Sequence, residues 1–288
     1  DVMALGDIVV SATENAYIAG DAVNVTLAFG LGMAIGVSLV SHEIKSDIQA
    51  YVDGPDISAE NLSVSANSTA NIDKTDTAGV AGSLIAAVGN RADADISTTV
   101  DAYLQNAEVT VVDTVTISAN AFNTANAFAA GGAFGAIAAG AMISDINLGR
   151  GTGVDEVTAS VGDSTNITAG TLNITATGTD TLRSQTVAAS GGLVAVAGAD
   201  SKITSDSASL ATIGEAVNIT VTTLSVNSVY SSDFDSEADA IAFGLAAGTG
   251  AGASNYMNTR ANIDIGVGAG DATTVVADKI YIKAVNLF

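Results

Sequence analysis

Leu62-Ser63-Val64-Ser65-Ala66 alternates apolar and polar side chains, and closely similar pentads return along the chain. They are Ile8-Val9-Val10-Ser11-Ala12, Val115-Thr116-Ile117-Ser118-Ala119, Leu172-Asn173-Ile174-Thr175-Ala176, Leu224-Ser225-Val226-Asn227-Ser228 and Ile280-Tyr281-Ile282-Lys283-Ala284. Alternation with period two is the mark of a half-buried strand. Successive starts lie 54, 53, 57, 52 and 56 residues apart. A fixed period near that value means a stacked array in which no unit buries its apolar face alone. We therefore expect one continuous repetitive domain over residues 1–288, with units 8–61, 62–114, 115–171, 172–223, 224–279 and a partial sixth at 280–288.

Working outward from the pentad, Leu62, Val64, Ala66, Ala70 and Ile72 share one face, while Ser63, Ser65, Asn67, Thr69, Asn71 and Asp73 take the other. A small-residue stretch follows in each unit, at 28–40, 78–87, 127–141, 187–199 and 238–253. Ala and Gly occur there at both parities, which predicts either a sheet held close to another inside the array or a face against a neighbouring protomer. A second marker keeps step with the first: Ala50-Tyr51-Val52, Ala102-Tyr103-Leu104, Ala159-Ser160-Val161 and Ala211-Thr212-Ile213. A further copy, Ala16-Tyr17-Ile18, falls out of phase and predicts an irregular first unit. Gly followed by an acid, at Gly20-Asp21, Gly162-Asp163, Gly214-Glu215 and Gly270-Asp271, predicts a bend between strands, because Gly supplies positive φ and the acid caps its own turn. A unit of this length traces about 180 Å fully extended. That suits one broad, flattened coil or two to three ordinary ones.

Composition narrows the class. Hydrophobic residues make up 48% of the chain but aromatic ones only 5%, so the core is expected to be thin and built from small aliphatic groups. Nine Lys and Arg against 31 Asp and Glu give a net charge of −22. Such a surface repels phosphate backbones and anionic lipid heads, which argues against nucleic acid and membrane insertion. With no Cys and a single His, thiolate and zinc sites are unavailable. The sequence opens at Asp1 with no basic leader and closes on the first strand of a new repeat, so both ends read as cuts through a longer array or as those of a processed subunit.

In its alternating pentad, Gly/Ala-rich middle and Ala-Tyr-Ile-Ala-Gly-Asp turn, the chain resembles the repetitive β-helical regions of large bacterial surface proteins. These are the filamentous-haemagglutinin-like adhesins and the autotransporter-type passengers. The resemblance implies an all-β, parallel β-solenoid exported to a prokaryotic cell surface, where it acts as stalk, fibre or adhesive surface and brings no catalytic residue.

Candidate sites are few. His42 stands alone beside Glu43 and reads as a surface residue, not a catalytic base. The basic residues are dispersed, so the carboxylate-plus-cation cluster of a polysaccharide-cleaving β-helix is not seen and no enzyme is expected. Asp21, Asp163, Glu215 and Asp271, beside turn glycines, are candidate calcium ligands if stacking aligns them. Ser/Thr rows such as Thr220, Thr222, Thr223 and Ser225 offer an alternative role in binding glycans or ice. An outer-membrane β-barrel is a further alternative, weakened by the lack of Trp and of aromatic girdles. The partner expected first is a second copy, head to tail or side by side, with the Ile280–Phe288 strand pairing onto the Ile8 region of the next chain.

Overall fold

The computed structural model describes residues 1–29, 31–149, 155–266 and 272–288, and every regular element in them is a strand. In chain order these are β1 (Val2–Met3), β2 (Ile8–Leu27), β3 (Met33–Asp53), β4 (Ile57–Ala59), β5 (Leu62–Gly82), β6 (Ile85–Gln105), β7 (Glu108–Val111), β8 (Thr114–Phe134), β9 (Ile137–Leu148), β10 (Asp155–Val161), β11 (Asn166–Gly191), β12 (Val194–Ile213), β13 (Asn218–Phe243), β14 (Ala246–Ile265) and β15 (Thr274–Leu287). All pairings are parallel. The chain is a parallel β-solenoid.

Each unit is one flattened coil. A strand of about 20 residues crosses the first sheet (β2, β5, β8, β11, β13, β15), turns sharply, and a second strand returns in the opposite sheet (β3, β6, β9 with β10, β12, β14). Short segments close the coil at the other end: β1, β4, β7 and then the first residues of β11, β13 and β15. The pentads stack as the spacing requires, with Ile8, Leu62, Val115, Leu172, Leu224 and Ile280 in one column. The second marker forms another, Ala50 on Ala102 on Ala159 on Ala211. At about 3.3 Å per residue and about 4.8 Å between strands, five coils make a slab about 70 Å wide and about 24 Å tall.

Two expectations about the first unit need correction. The strand β2 runs straight through Gly20-Asp21, and its pairing with β5 is continuous apart from one register shift between Ile18 and Ala19. The extra residue belongs to the second unit, where Ile72 and Thr75 of β5 flank the same shift against β8. Alternation persists through Gly20, so the strand overrides the local turn signal there. Ala16-Tyr17-Ile18 is thus strand sequence opposite Ala70-Asn71-Ile72, a look-alike of the second marker. The long third unit has a local cause as well: eight residue steps separate Leu148 from Glu156 where three separate their partners Ile96 and Thr99.

At the wide end, where three strands enclose the interior, the core is Ile, Leu and Val: Leu62, Val64, Leu104, Val109, Val115, Ile117, Leu172 and Ile174 are all buried. Toward the sharp turn the two sheets converge and a second cluster takes over, dominated by Ala at 70, 81, 86, 92, 94, 125, 127, 129 and 133. The spacing is set by what the interior must hold. A Cβ on Gly131 would lie 2.5 Å from Cε of Met142 and 2.7 Å from the carbonyl of Gly79. Gly131→Val should therefore lower stability by about 1–3 kcal/mol through overpacking, read from urea unfolding.

The sharp turns are themselves part of the ladder. Ser83 N–H donates to Phe134 O (3.1 Å), Gly135 N–H to Gly191 O (2.9 Å) and Gly192 N–H to Phe243 O (2.9 Å), so each turn is hydrogen-bonded to the next coil. At the other end, Gly54, Asn106, Ser164 and Ala216 occupy the turns leaving the second sheet with φ of 89°, 52°, 55° and 54°. Only Gly adopts that region freely. Ala216→Gly is expected to stabilise the fold by about 0.5–1 kcal/mol, measurable as a raised unfolding midpoint.

Candidate functional site

From β2 to β13 the outward face of the first sheet, over its wide half, is an uncharged lattice, and β15 adds Lys279 and Lys283 at its edge. Pairing places Ser63, Thr116, Asn173 and Ser225 in one column and Ser65, Ser118, Thr175 and Asn227 in the next. Parallel pairing sets these groups about 4.8 Å apart along the stack and about 6.6 Å apart along each strand. Amides in the lattice link neighbouring coils: Asn120 Nδ2 donates to Asn67 Oδ1 at 3.0 Å. Nearer the closing segment, Asn218 donates to Asn166 in the same way at 2.9 Å. Alternation puts every second residue outward, and equal unit lengths along this sheet bring like residues together. Of the Ser/Thr row read from the sequence, Ser225 lies on the lattice; Thr220 and Thr222 sit in the closing segment beside it, exposed.

The ion pairs lie elsewhere. On the second sheet Arg91 bridges two coils, with Nε 2.8 Å from Asp93 and Nη2 2.9 Å from Asp145. Ten residues further along β6, Asp101 is pushed up to about 6, first by burial and then by the like charges of Glu156 and Asp47. Tyr51 and Tyr103 stack beside this strip, rings 5.0 Å apart. Asp53 is held below the usual carboxylate range by hydrogen bonds from Asn106 (2.9 Å) and Gln105 (3.0 Å).

Three of the four calcium candidates fall among the described residues, and they do not converge. Asp21 is on the outer face of β2, where its carboxylate takes the Lys74 ammonium at 2.8 Å. Asp163 and Glu215 are at stacked turns, and Asp163 Oδ1 accepts the Glu215 backbone N–H at 2.7 Å, so this carboxylate serves as a cap. Asp271 lies outside the described residues. Among the described residues no group of three His, Cys, Asp or Glu side chains is placed to hold a metal ion. Asp163→Ala should cost about 1 kcal/mol through the lost cap, seen in chemical denaturation.

His42 also departs from expectation. It points into the solenoid, with Nδ1 3.0 Å from Thr75 Oγ1 and Nε2 close against Gly20. The alternation of β3 puts even-numbered residues inside, and 42 falls on that parity.

Sequence reasoning missed the polar interior. Between the two apolar clusters, Asn123 Nδ2 donates to Asp180 Oδ1 (3.1 Å) and Tyr230 Oη to Asp180 Oδ2 (2.5 Å), with all three side chains buried. Burial pushes the Asp180 carboxyl up to about 7, against the lowering by those two donors. A serine cluster follows toward the sharp turn, where Ser184 Oγ meets Ser144 Oγ at 2.7 Å and Ser201 Oγ at 2.8 Å across the sheets. The signal was present in the pattern: Asp180 stands at an inward parity, two residues from Gly178.

The fold and its repeated faces define the class as a parallel β-solenoid repeat protein. No family model matches the chain, and neither a curated protein nor a solved structure matches it.

Proposed function

We propose that this chain is a structural or adhesive segment of an extracellular filament on a prokaryotic surface, of the kind built by filamentous-haemagglutinin-like adhesins and autotransporter-type passengers, and that it self-associates by β-stacking. The observation that supports this reading is the register itself, six strands deep from Ile8 to Ile280, with the outer edges of β2 and β3 at one end and of β14 and β15 at the other left unpaired among the described residues. The interior is half-open there: Ile280 and Ile282 are 51% and 56% exposed. Unpaired parallel edges over an apolar interior template the addition of another coil. A coil of some 54 residues climbs only about 4.8 Å, so the design favours broad faces over reach. The acidic surface points to neither nucleic acid nor membrane as partner, and the reading assigns no catalytic residue or obligatory cofactor.

Electron micrographs of the purified chain should show ribbons lengthening with concentration, and deletion of residues 280–288 should shorten them. Unchanged lengths after the deletion would contradict the stacking. A second reading, binding of glycans or ice, is favoured by the uncharged Ser/Thr/Asn lattice. It predicts thermal hysteresis or glycan-array signal that Thr116→Lys with Thr175→Lys abolishes while the circular dichroism spectrum is unchanged.

A further inference from the structure

The outward column of the second sheet that begins with the tyrosine pair changes character partway up the stack. From the first coil to the fifth it holds Tyr51, Tyr103, Ser160, Thr212 and Asp264. The two rings lie 5.0 Å apart and within 7° of parallel, close to the spacing of about 4.8 Å between coils. They therefore stand one over the other along the stack, and Tyr51 covers one face of Tyr103. The opposite face looks over Ser160, whose side chain ends at a hydroxyl. A notch results, with the Tyr103 ring as its wall and Ser160 and Thr212 as its floor, reaching Asp264 three coils and about 14 Å away.

Both flanks of the notch are polar. On one side Gly162 makes room for Gln105: a Cβ there would lie 2.7 Å from Gln105 Cβ and 3.4 Å from its Oε1. The carboxamide is held in place, because Gln105 Nε2 donates to Asp53 Oδ2 at 3.0 Å. On the other side Asp101 and Thr158 lead to Leu210, and the Thr158 hydroxyl donates to Glu156 Oε1 at 3.3 Å. Asp101, Glu156, Asp163 and Asp264 surround the notch with negative charge. Among the described residues of this sheet the closest basic side chain is Arg260 on the fifth coil, 3.8 Å from Asp206.

We propose that this notch binds a neutral pyranose unit of a polysaccharide, with the C–H face of the sugar on the Tyr103 ring and its hydroxyls at Gln105, Ser160 and Thr158. A pyranose presents C–H groups on its faces and hydroxyls around its rim. The negative face of an aromatic ring attracts those C–H groups, which carry partial positive charge. A few fixed polar groups around an apolar wall then orient the ligand. The surrounding carboxylates reject uronic and sialic acids by like charge. A sugar amine would draw on the carboxylates instead, and salt would release it. The notch lies on the sheet opposite the Ser/Thr/Asn lattice, and a single chain contains all of it, so it needs no end-to-end stacking.

Saturation-transfer NMR of the full chain with neutral hexaoses of β-1,4-glucose, α-1,4-glucose and β-1,4-mannose tests this. At least one should bind with a dissociation constant of ~1 mM, with transfer strongest at the C–H protons of one ring face. Tyr51→Ala with Tyr103→Ala should weaken that binding ~10-fold, whereas Tyr103→Phe should hold it within ~2-fold, because stacking needs the ring and not its hydroxyl. Thr116→Lys with Thr175→Lys, on the opposite sheet, should leave it unchanged, so the notch and the lattice fail separately. Trigalacturonate should not bind. Circular dichroism and unfolding midpoints confirm that each variant is folded. No transfer from any of the three hexaoses, binding that survives the double tyrosine variant, or loss of binding in the lattice variant would each overturn the proposal. So would a chitosan hexaose that binds more tightly than all three and is released by ~0.3 M salt, since the carboxylates and not the ring would then be the recognition element.

Discussion

Raising the pH from about 4 to about 7 should destabilise this protein, and Asp180→Asn should remove most of that dependence. The Asp180 carboxyl has an ordinary value of 3.8 in the unfolded chain and is pushed up to about 7 in the fold, chiefly by burial. A raised folded value means that the native state binds the proton more tightly. The stabilisation is therefore complete below 3.8 and lost as pH rises through about 7. Its full size is about 4 kcal/mol, because each unit is worth about 1.4 kcal/mol. Asp101 acts in the same direction, more weakly, since it is partly solvated. Asn at 180 keeps an acceptor for Tyr230 and lacks the charge. Thermal midpoints of wild type and Asp180→Asn should converge near pH 4 and separate above pH 6, with the variant higher. Parallel curves across that range would show that Asp180 is not the titrating group.

The second large effect concerns the tyrosine beside it. Ser68, Ala121, Gly178 and Tyr230 form one inward column, and Tyr230 is fully buried with its ring over Gly178 and its hydroxyl on Asp180. A Cβ on Gly178 would overlap that ring. Gly178→Ala is expected to cost about 1–3 kcal/mol, although alanine is otherwise the commonest residue of this narrow interior. In a Tyr230→Ser background the same change should be nearly neutral, because the ring is gone. A double-mutant cycle by urea unfolding should thus return a coupling above about 1 kcal/mol; additive costs would mean that the two side chains do not share the space.

Period-two alternation and the near-constant spacing made the solenoid and its columns legible, since a one-residue slip would have turned Leu62, Val64 and Ala66 outward. Coil number was not legible, because 54 residues suit a flattened loop as well as two rounder ones. What settles it is the sharp turn, and its sequence, Gly82-Ser83-Leu84 or Gly191-Gly192-Leu193, lacks the Gly-acid signature that marks the opposite end. Gly20-Asp21 carries that signature and is plain strand, because the twelve strand residues before it and the six after it outweigh a two-residue turn preference. The uncharged lattice was partly visible as Ser and Thr abundance. Its flatness came only with the register, and so did the buried Asp180, whose partners Asn123 and Tyr230 lie in other units.

The sharp turns of this solenoid carry a constraint of their own. Connecting segments are ordinarily where a protein absorbs insertions. Here the turns at Ser83, Gly135 and Gly192 are rungs, each bound through its amide to the turn of the following coil. Lengthening one of them would break the rungs above and below it, so that edge can change only in concert along the whole array. Differences in unit size fall within the sheets instead: β5 carries one extra residue between Ile72 and Thr75, and the third unit carries its additional residues between Leu148 and Glu156, opposite the middle of β6.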